Sequence, residues 1–239
     1  MISEKHPCLS SCVPCLLLVV LTLSGCRYPQ DIEGSMERID NGVMRVGVSE
    51  NPPWVIEAAD GPAGLEVELV QALADELGAT IEWHWGGESH LLLALEQHQL
   101  DLVISGLTEN ARISQLAAPT NAYYQSDYRV GAPLGMTLPD TLEGQDITLS
   151  AVNHVARSLE KEGAVVHLTT PPLPDNQLVV QPTWWLMAHD YAMSHDTLAT
   201  DAHIMALPKG ENAWMMAVQR HLDSASDIEQ RLKGWETDQ

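Results

Sequence analysis

The chain has 239 residues, enough for one large domain or two small lobes, and its 45% hydrophobic content is ordinary for a globular protein. It carries 33 Asp and Glu against 12 Lys and Arg, a formal charge of −21, with no basic stripe, which argues against nucleic-acid binding and against docking on anionic lipid. Phe is absent, so Leu, Val, Ala, Met and seven Trp must build the core. The acidity reads first as a solvated surface, with a cationic ligand or a salty or alkaline habitat as alternatives.

In chain order, a polar start with Lys5 is followed by an apolar run from Cys15 to Leu23. That run has the size of a secretory h-region and is too short to span a membrane. It ends in Leu23-Ser24-Gly25-Cys26, which resembles the bacterial lipobox. The resemblance implies cleavage before Cys26 and attachment of lipid to its sulfur. All four Cys lie within the first 26 residues, so the body has no disulfide, no Cys nucleophile and no Cys metal site. Arg27 to about Asn41 is polar and aperiodic and reads as a tether between membrane and domain.

From Met44 strand and helix alternate. "MRVGV" is a strand that stops at "SENPPW", where Pro52 and Pro53 impose a loop. Gly64 opens a helix with Leu65, Leu69, Leu73 and Leu77 on one face and Gly78 at its C-terminal end. "TIEWHW" is a second strand, Ser89 is placed to cap a helix over "HLLLALEQHQ", and "DLVISGL" is a strand apolar enough to be buried on both faces. This βαβαβ order predicts a parallel sheet flanked by helices. A weaker second unit follows. "YYQSDYRVGAPLG" reads as extended with a hinge, "LEGQDITLSA" as turn and strand, and "NHVARSLEKEGA" as a helix capped by Asn153. Then come a strand over "VVHLTT", a helix over "WWLMAHDYAM", a strand over "AHIMALP", an amphipathic helix over "GENAWMMAVQRHL" and a final "DIEQRLKGW".

The ordered blocks "RVGVSENPPW", "DGPAGLEVELVQALADELGA", "LLLALEQHQLDLVISGLT", "LEGQDITLSA" and "HIMALPKGENAW" resemble the family 3 solute-binding proteins of ABC importers. The resemblance spans about Met44 to Trp235 and is strongest in the first half. It implies an α/β, two-lobed type II periplasmic-binding-protein fold, each lobe a sheet flanked by helices, joined by a two-segment hinge. The expected parts are a signal peptide over 1–25, a tether over 26–42, lobe one over 43–130 and 203–239, and lobe two over 131–202. Hinges are expected near Tyr128 to Pro133 and near Asp201 to His203.

The resemblance also implies a binding site. In open α/β sheets ligands sit beyond the carboxyl ends of the strands, where "SGLT" falls. Backbone N–H groups around Gly106, with the Ser105 and Thr108 hydroxyls, are expected to cradle a polar group. Arg112 is expected to fork onto a ligand carboxylate. Trp54 is expected to wall the cleft, with Asn51 nearest the position of the family's stacking aromatic. In lobe two, Val152-Asn153-His154 replaces the family's Gly-Ser or Gly-Thr step, leaving Asn153 to reach the ligand. Thr183, beside Trp184, stands where an Asp usually receives the ligand's ammonium. An α-amino acid would leave its ammonium poorly paired there, so the expected ligand is not a standard one or uses another anchor.

Nine His follow the leader, yet none sits in a His-Glu-x-x-His or similar metal spacing. No Gly-x-Ser-x-Gly elbow or phosphate loop occurs. The expectation is a non-enzymatic, monomeric lipoprotein on the periplasmic side of a membrane, without cofactor or metal. It would capture a small polar solute, amino-acid-like or a carboxylate, for an ABC permease. The alternatives are a cleft enzyme of the cyclohexadienyl dehydratase type, or a degenerate or sensory domain without a transport role.

Overall fold

The computed structural model describes residues 30–150, 154–170 and 173–237. The first half runs α1 (Ser35–Ile39), β1 (Val43–Val48), β2 (Ile56–Ala58), β3 (Gly61–Ala63), α2 (Leu65–Leu77), β4 (Thr80–Trp85), α3 (Glu88–Glu96), β5 (Leu102–Ile104), α4 (Ala111–Leu116) and β6 (Ala118–Pro119). It continues with β7 (Tyr124–Ala132), β8 (Asp146–Leu149), α5 (His154–Lys161), β9 (Val165–Leu168), β10 (Leu178–Pro182), α6 (Thr183–Ala188), β11 (Ala192–Met193) and β12 (Ala199–His203). The chain then returns through β13 (Ala206–Leu207), α7 (Asn212–Ser224) and α8 (Ile228–Thr237).

The first sheet has the order β4-β1-β5-β13-β6. Its centre is parallel, with Val46 opposite Trp83 on one side and Leu102 on the other, as the βαβαβ pattern predicts. Both faces are covered. On one, Leu65, Leu69 and Leu73 of α2 meet Trp214 and Val218 of α7; on the other, Leu91, Leu92 and Leu95 of α3 meet Ile113. All three residues of β5 are therefore buried. Gly47 allows α3 its close approach, since a Cβ there would lie 2.8 Å from Leu100 and 3.0 Å from Leu91. Gly64 and Gly78 flank α2 as expected, Gly78 with φ +61°. Helix α3 starts earlier than expected, after Gly87, so Ser89 lies inside the helix and is not its cap.

The segment expected to be a tether is folded from Gln30 onward. Asp31 Oδ1 accepts from the Ala213 and Trp214 amides at the start of α7, 2.6 and 3.1 Å away. Glu211, just ahead of α7, in turn accepts from the amides of Glu33 and Ser35 at 2.8 and 2.9 Å. Each segment thus caps the other's orphan N–H groups. Arg38 then joins Arg45 on the buried Asp101. Burial alone would push the Asp101 carboxyl up, but the two guanidiniums hold it below the usual carboxylate range. Polar partners distant in sequence fix this segment, which has no apolar period to announce it. The leader and Cys26 lie outside the described residues.

The second sheet runs β11-β7-β10-β8-β9, with β12 also paired to β7. Val130, Ile147, Leu149, Val155, Leu159 and Val180 form its core. Strand β7 belongs to this sheet from Tyr124, seven residues before the expected boundary at 131, because it is laddered to β12 from its first residue. Tyr128 pairs with both Ala199 and Pro182, so the segment expected to be the first hinge is held inside a ladder. The chain crosses between sheets earlier: the Thr120 amide donates to Met205 O at 2.9 Å and the Tyr123 amide to His203 O at 3.0 Å. Gly131, Pro133 and Gly135 mark where β7 ends. The expected helix over "WWLMAHDYAM" stops at Ala188 and gives way to β11, and "AHIMALP" divides into β12 and β13. Helix α8 reaches both halves: Arg231 Nη2 lies 2.6 Å from Glu68 Oε2 on α2, and Glu229 accepts from Thr183 Oγ1 on α6 at 2.9 Å. No helix among the described residues is long and apolar enough to cross a membrane.

Candidate functional site

A cleft of about 870 Å³ lies between the two sheets, within the range of small-molecule sites. From the first sheet, the loops leaving the carboxyl ends of β1 and β5 carry Asn51, Trp54, Gly106 and Thr108 into it. These loops interlock. Asn51 Nδ2 donates to Ser105 O at 2.7 Å. Gly106 has φ +63°, and a Cβ there would lie 2.5 Å from Trp54 Cδ1, so the glycine satisfies both the left-handed turn and the pressure of the indole. Trp54 in turn stacks on His203 with ring centroids 3.9 Å apart and planes at 26°, and meets Tyr123 edge-on at 6.4 Å. At 5% exposure Trp54 is a core plug as well as a cleft wall.

Beneath this layer Glu66 is fully buried on α2. Its Oε2 accepts the Gly106 amide and its Oε1 the Tyr123 hydroxyl, each at 2.7 Å. Burial pushes its carboxyl up to about 7, the hydrogen bonds opposing only in part. His203 is 4% exposed, and neither of its ring nitrogens has a hydrogen-bond partner among the described residues. Burial brings its pKa down to about 4; the Gly106 backbone pulls the other way without an aligned bond.

The second sheet and α8 supply the opposite wall. Trp185 stacks on His189 at 3.8 Å and meets Tyr191 edge-on at 5.5 Å. Glu236 of α8 lies 3.7 Å from His189 Nε2, and burial raises its carboxyl against the pull of His189 and Trp185. Among the described lining residues the charged groups are Asp175, Asp201 and Glu236, with no Lys or Arg. Among the described residues, no three His, Cys, Asp or Glu are grouped so as to hold a metal ion.

The model of the bacterial extracellular solute-binding proteins, family 3, matches residues 44–231. The chain belongs to this family. Two solved structures of similar fold are an ancestral cationic amino acid solute binding protein (TM-score 0.66, 15% identity, 85% of this chain and 98% of that one) and the L-cystine solute receptor of Neisseria gonorrhoeae in its unliganded open conformation (TM-score 0.66, 15% identity, 79% and 90%). Among curated proteins, the chain is similar to the membrane-bound lytic murein transglycosylase F of Vibrio parahaemolyticus, 32% identical over 130 residues, and to that of Photobacterium profundum, 38% identical over 112. Those matches take in 54% and 46% of this chain. The chain spans about a quarter of the length of the curated relatives it matches, 25% and 22% for these two. An extracellular family fits a location in the cell envelope.

In this family 3 protein the expected site residues divide. Asn51, Trp54, Gly106, Thr108 and Trp184 line the cleft. Ser105 lies just behind it, 6% exposed, its hydroxyl without a partner among the described residues. The Gly106 amide, expected to face a ligand, is occupied by Glu66. Arg112 is exposed in the first turn of α4, which Asn110 caps, and donates to Ser89 Oγ at 2.7 Å, apart from the cleft lining. Thr183 turns its hydroxyl to Glu229. Trp184 directs Nε1 to Ser126 Oγ at 3.1 Å and offers the cleft only its ring. Asn153 falls outside the described residues. Glu66, Asp201, His203 and Glu236 carry no sequence signal as site residues, because none stands in a motif and each is brought in by a distant element.

Proposed function

We propose that the protein is an envelope receptor that captures a small solute in the cleft between its lobes and acts by closing on it, without chemical turnover. The observation that carries this is the cleft itself: strand-end loops of one sheet face an aromatic wall of the other, across a crossing of two short backbone segments. Closure about such a crossing buries the ligand and changes the surface presented to a partner. Anchoring through a lipidated Cys26 and delivery to an ABC permease complete this reading. A second reading, a ligand-sensing domain in cell-wall remodelling, draws on the curated relatives named as lytic murein transglycosylases.

A thermal-melt screen with amino acids, small carboxylates, amines and sugars tests the receptor reading. A ligand at about 100 times its dissociation constant adds roughly 2.7 kcal/mol of stability. At least one compound is expected to raise the melting temperature. Arg112→Ala is expected to leave that shift unchanged, because Arg112 stands on Ser89 outside the cleft. No shift across the panel would remove the reading, and conversion of any compound to product would replace the receptor with an enzyme.

A further inference from the structure

The cleft carries one sign of charge. Asp201 lines it from β12, Glu236 from α8 and Asp175 from the loop before β10, with no Lys or Arg among the described lining residues. The Glu236 side chain is only 20% exposed, so water screens it incompletely. The phenols between them feel this field: after burial, Asp201 raises the pKa of Tyr128 and Asp175 that of Tyr191.

Much of the apolar lining is aromatic. Trp54, Tyr128, Trp184, Trp185 and Tyr191 all contribute, and an aromatic face attracts cations through its quadrupole. His203 supplies the second independent feature. It lines the cleft with its ring while nine-tenths or more buried, and both ring nitrogens are buried without a hydrogen-bond partner among the described residues. With its pKa down near 4 it is neutral and adds no positive charge to the cleft. A carboxylate placed here meets three acidic side chains and no Lys or Arg among the described lining residues, and the His189 imidazole already stands beside Glu236. An ammonium or guanidinium meets carboxylates and π-faces.

From this geometry we propose that the ligand of the cleft is a small organic cation without a carboxylate, an amine or guanidine. The proposal rests on the receptor reading and narrows its solute class. It also accounts for Arg112 standing apart: a ligand without a carboxylate needs no guanidinium clamp.

Titration calorimetry on the whole chain with agmatine, putrescine, choline, arginine and glutamate tests it. Agmatine and arginine share a guanidinium and differ by the carboxylate, so that pair isolates the question. Agmatine or putrescine is expected to bind, agmatine about ten-fold or more tighter than arginine if agmatine is the one, and glutamate not at all. Affinity should fall with added NaCl. Asp201→Asn and Glu236→Gln should each weaken amine binding about ten-fold while leaving the ligand-free melting temperature near that of the wild type. Failure of both agmatine and putrescine overturns the proposal, as does tighter binding of choline, arginine or glutamate. Binding of some other compound class in the broader screen would leave the receptor reading intact, whereas silence across that screen removes both.

Discussion

Glu66 and His203 both border Gly106 and titrate in opposite senses. The Glu66 pKa is about 7 when folded against an ordinary 4.5, so its contribution to stability is present below 4.5 and lost as pH rises through about 7. The His203 pKa is about 4 when folded against an ordinary 6.5, so its contribution is present above 6.5 and lost as pH falls toward 4. Each difference is on the order of 3 kcal/mol, and between the two ordinary values the slopes cancel. Removing one group should expose the other. Relative to wild type, Glu66→Gln should lose stability as pH falls from about 7 to about 4.5, and His203→Phe, which keeps a ring against Trp54, should lose it as pH rises from about 4 to about 6.5. Melting curves across that range check both, and parallel profiles for all three proteins would contradict the assignment. Neither residue was legible in the sequence. A polar side chain announces burial only through its partners, and Glu66 takes its own from Gly106 and Tyr123, 40 and 57 positions away. Trp54, Gly106 and Thr108 were legible, because each follows a strand whose end the apolar run marks.

Among elements, apolar period decided what could be read. The helix over Leu65–Leu77 shows its buried face at spacings of four, and β5 is an unbroken apolar run. The stretch from Gln30 to Ile39 shows no such pattern, yet it is folded, because Asp31 and Glu211 reciprocally satisfy helix-end amides. Asp31→Ala removes two acceptor contacts at the start of α7 and should cost about 1–2 kcal/mol in denaturant unfolding. It should also open residues before Ser35 to protease. If the cost is absent and the segment keeps its protection, the cap does not hold it. Strand β7 shows the reverse case. Its glycines and proline were read as a hinge, but pairing with β10 and β12 holds Tyr128 to Gly131 in a sheet and moves the crossing to Thr120–Tyr123 and His203–Met205.

For the whole molecule, a charge of −21 opposes compaction through self-repulsion. Raising NaCl from low to high concentration should therefore raise the ligand-free melting temperature while weakening any cation held in the cleft. Equal loss of both would indicate that surface repulsion is not a significant term. The α/β class, the parallel centre of the first sheet and the family were determined by the sequence alone, because hydrophobic period, glycine placement and block order are local or collinear properties. The position of the crossing, the folding of the segment after Gln30 and the membership of the cleft were decided only by the tertiary structure. Asp201, His203 and Glu236 line one cleft with Trp54 and Gly106 across more than ninety residues of chain, and such a grouping depends on how sheets pair and pack. No spacing along the sequence encodes them.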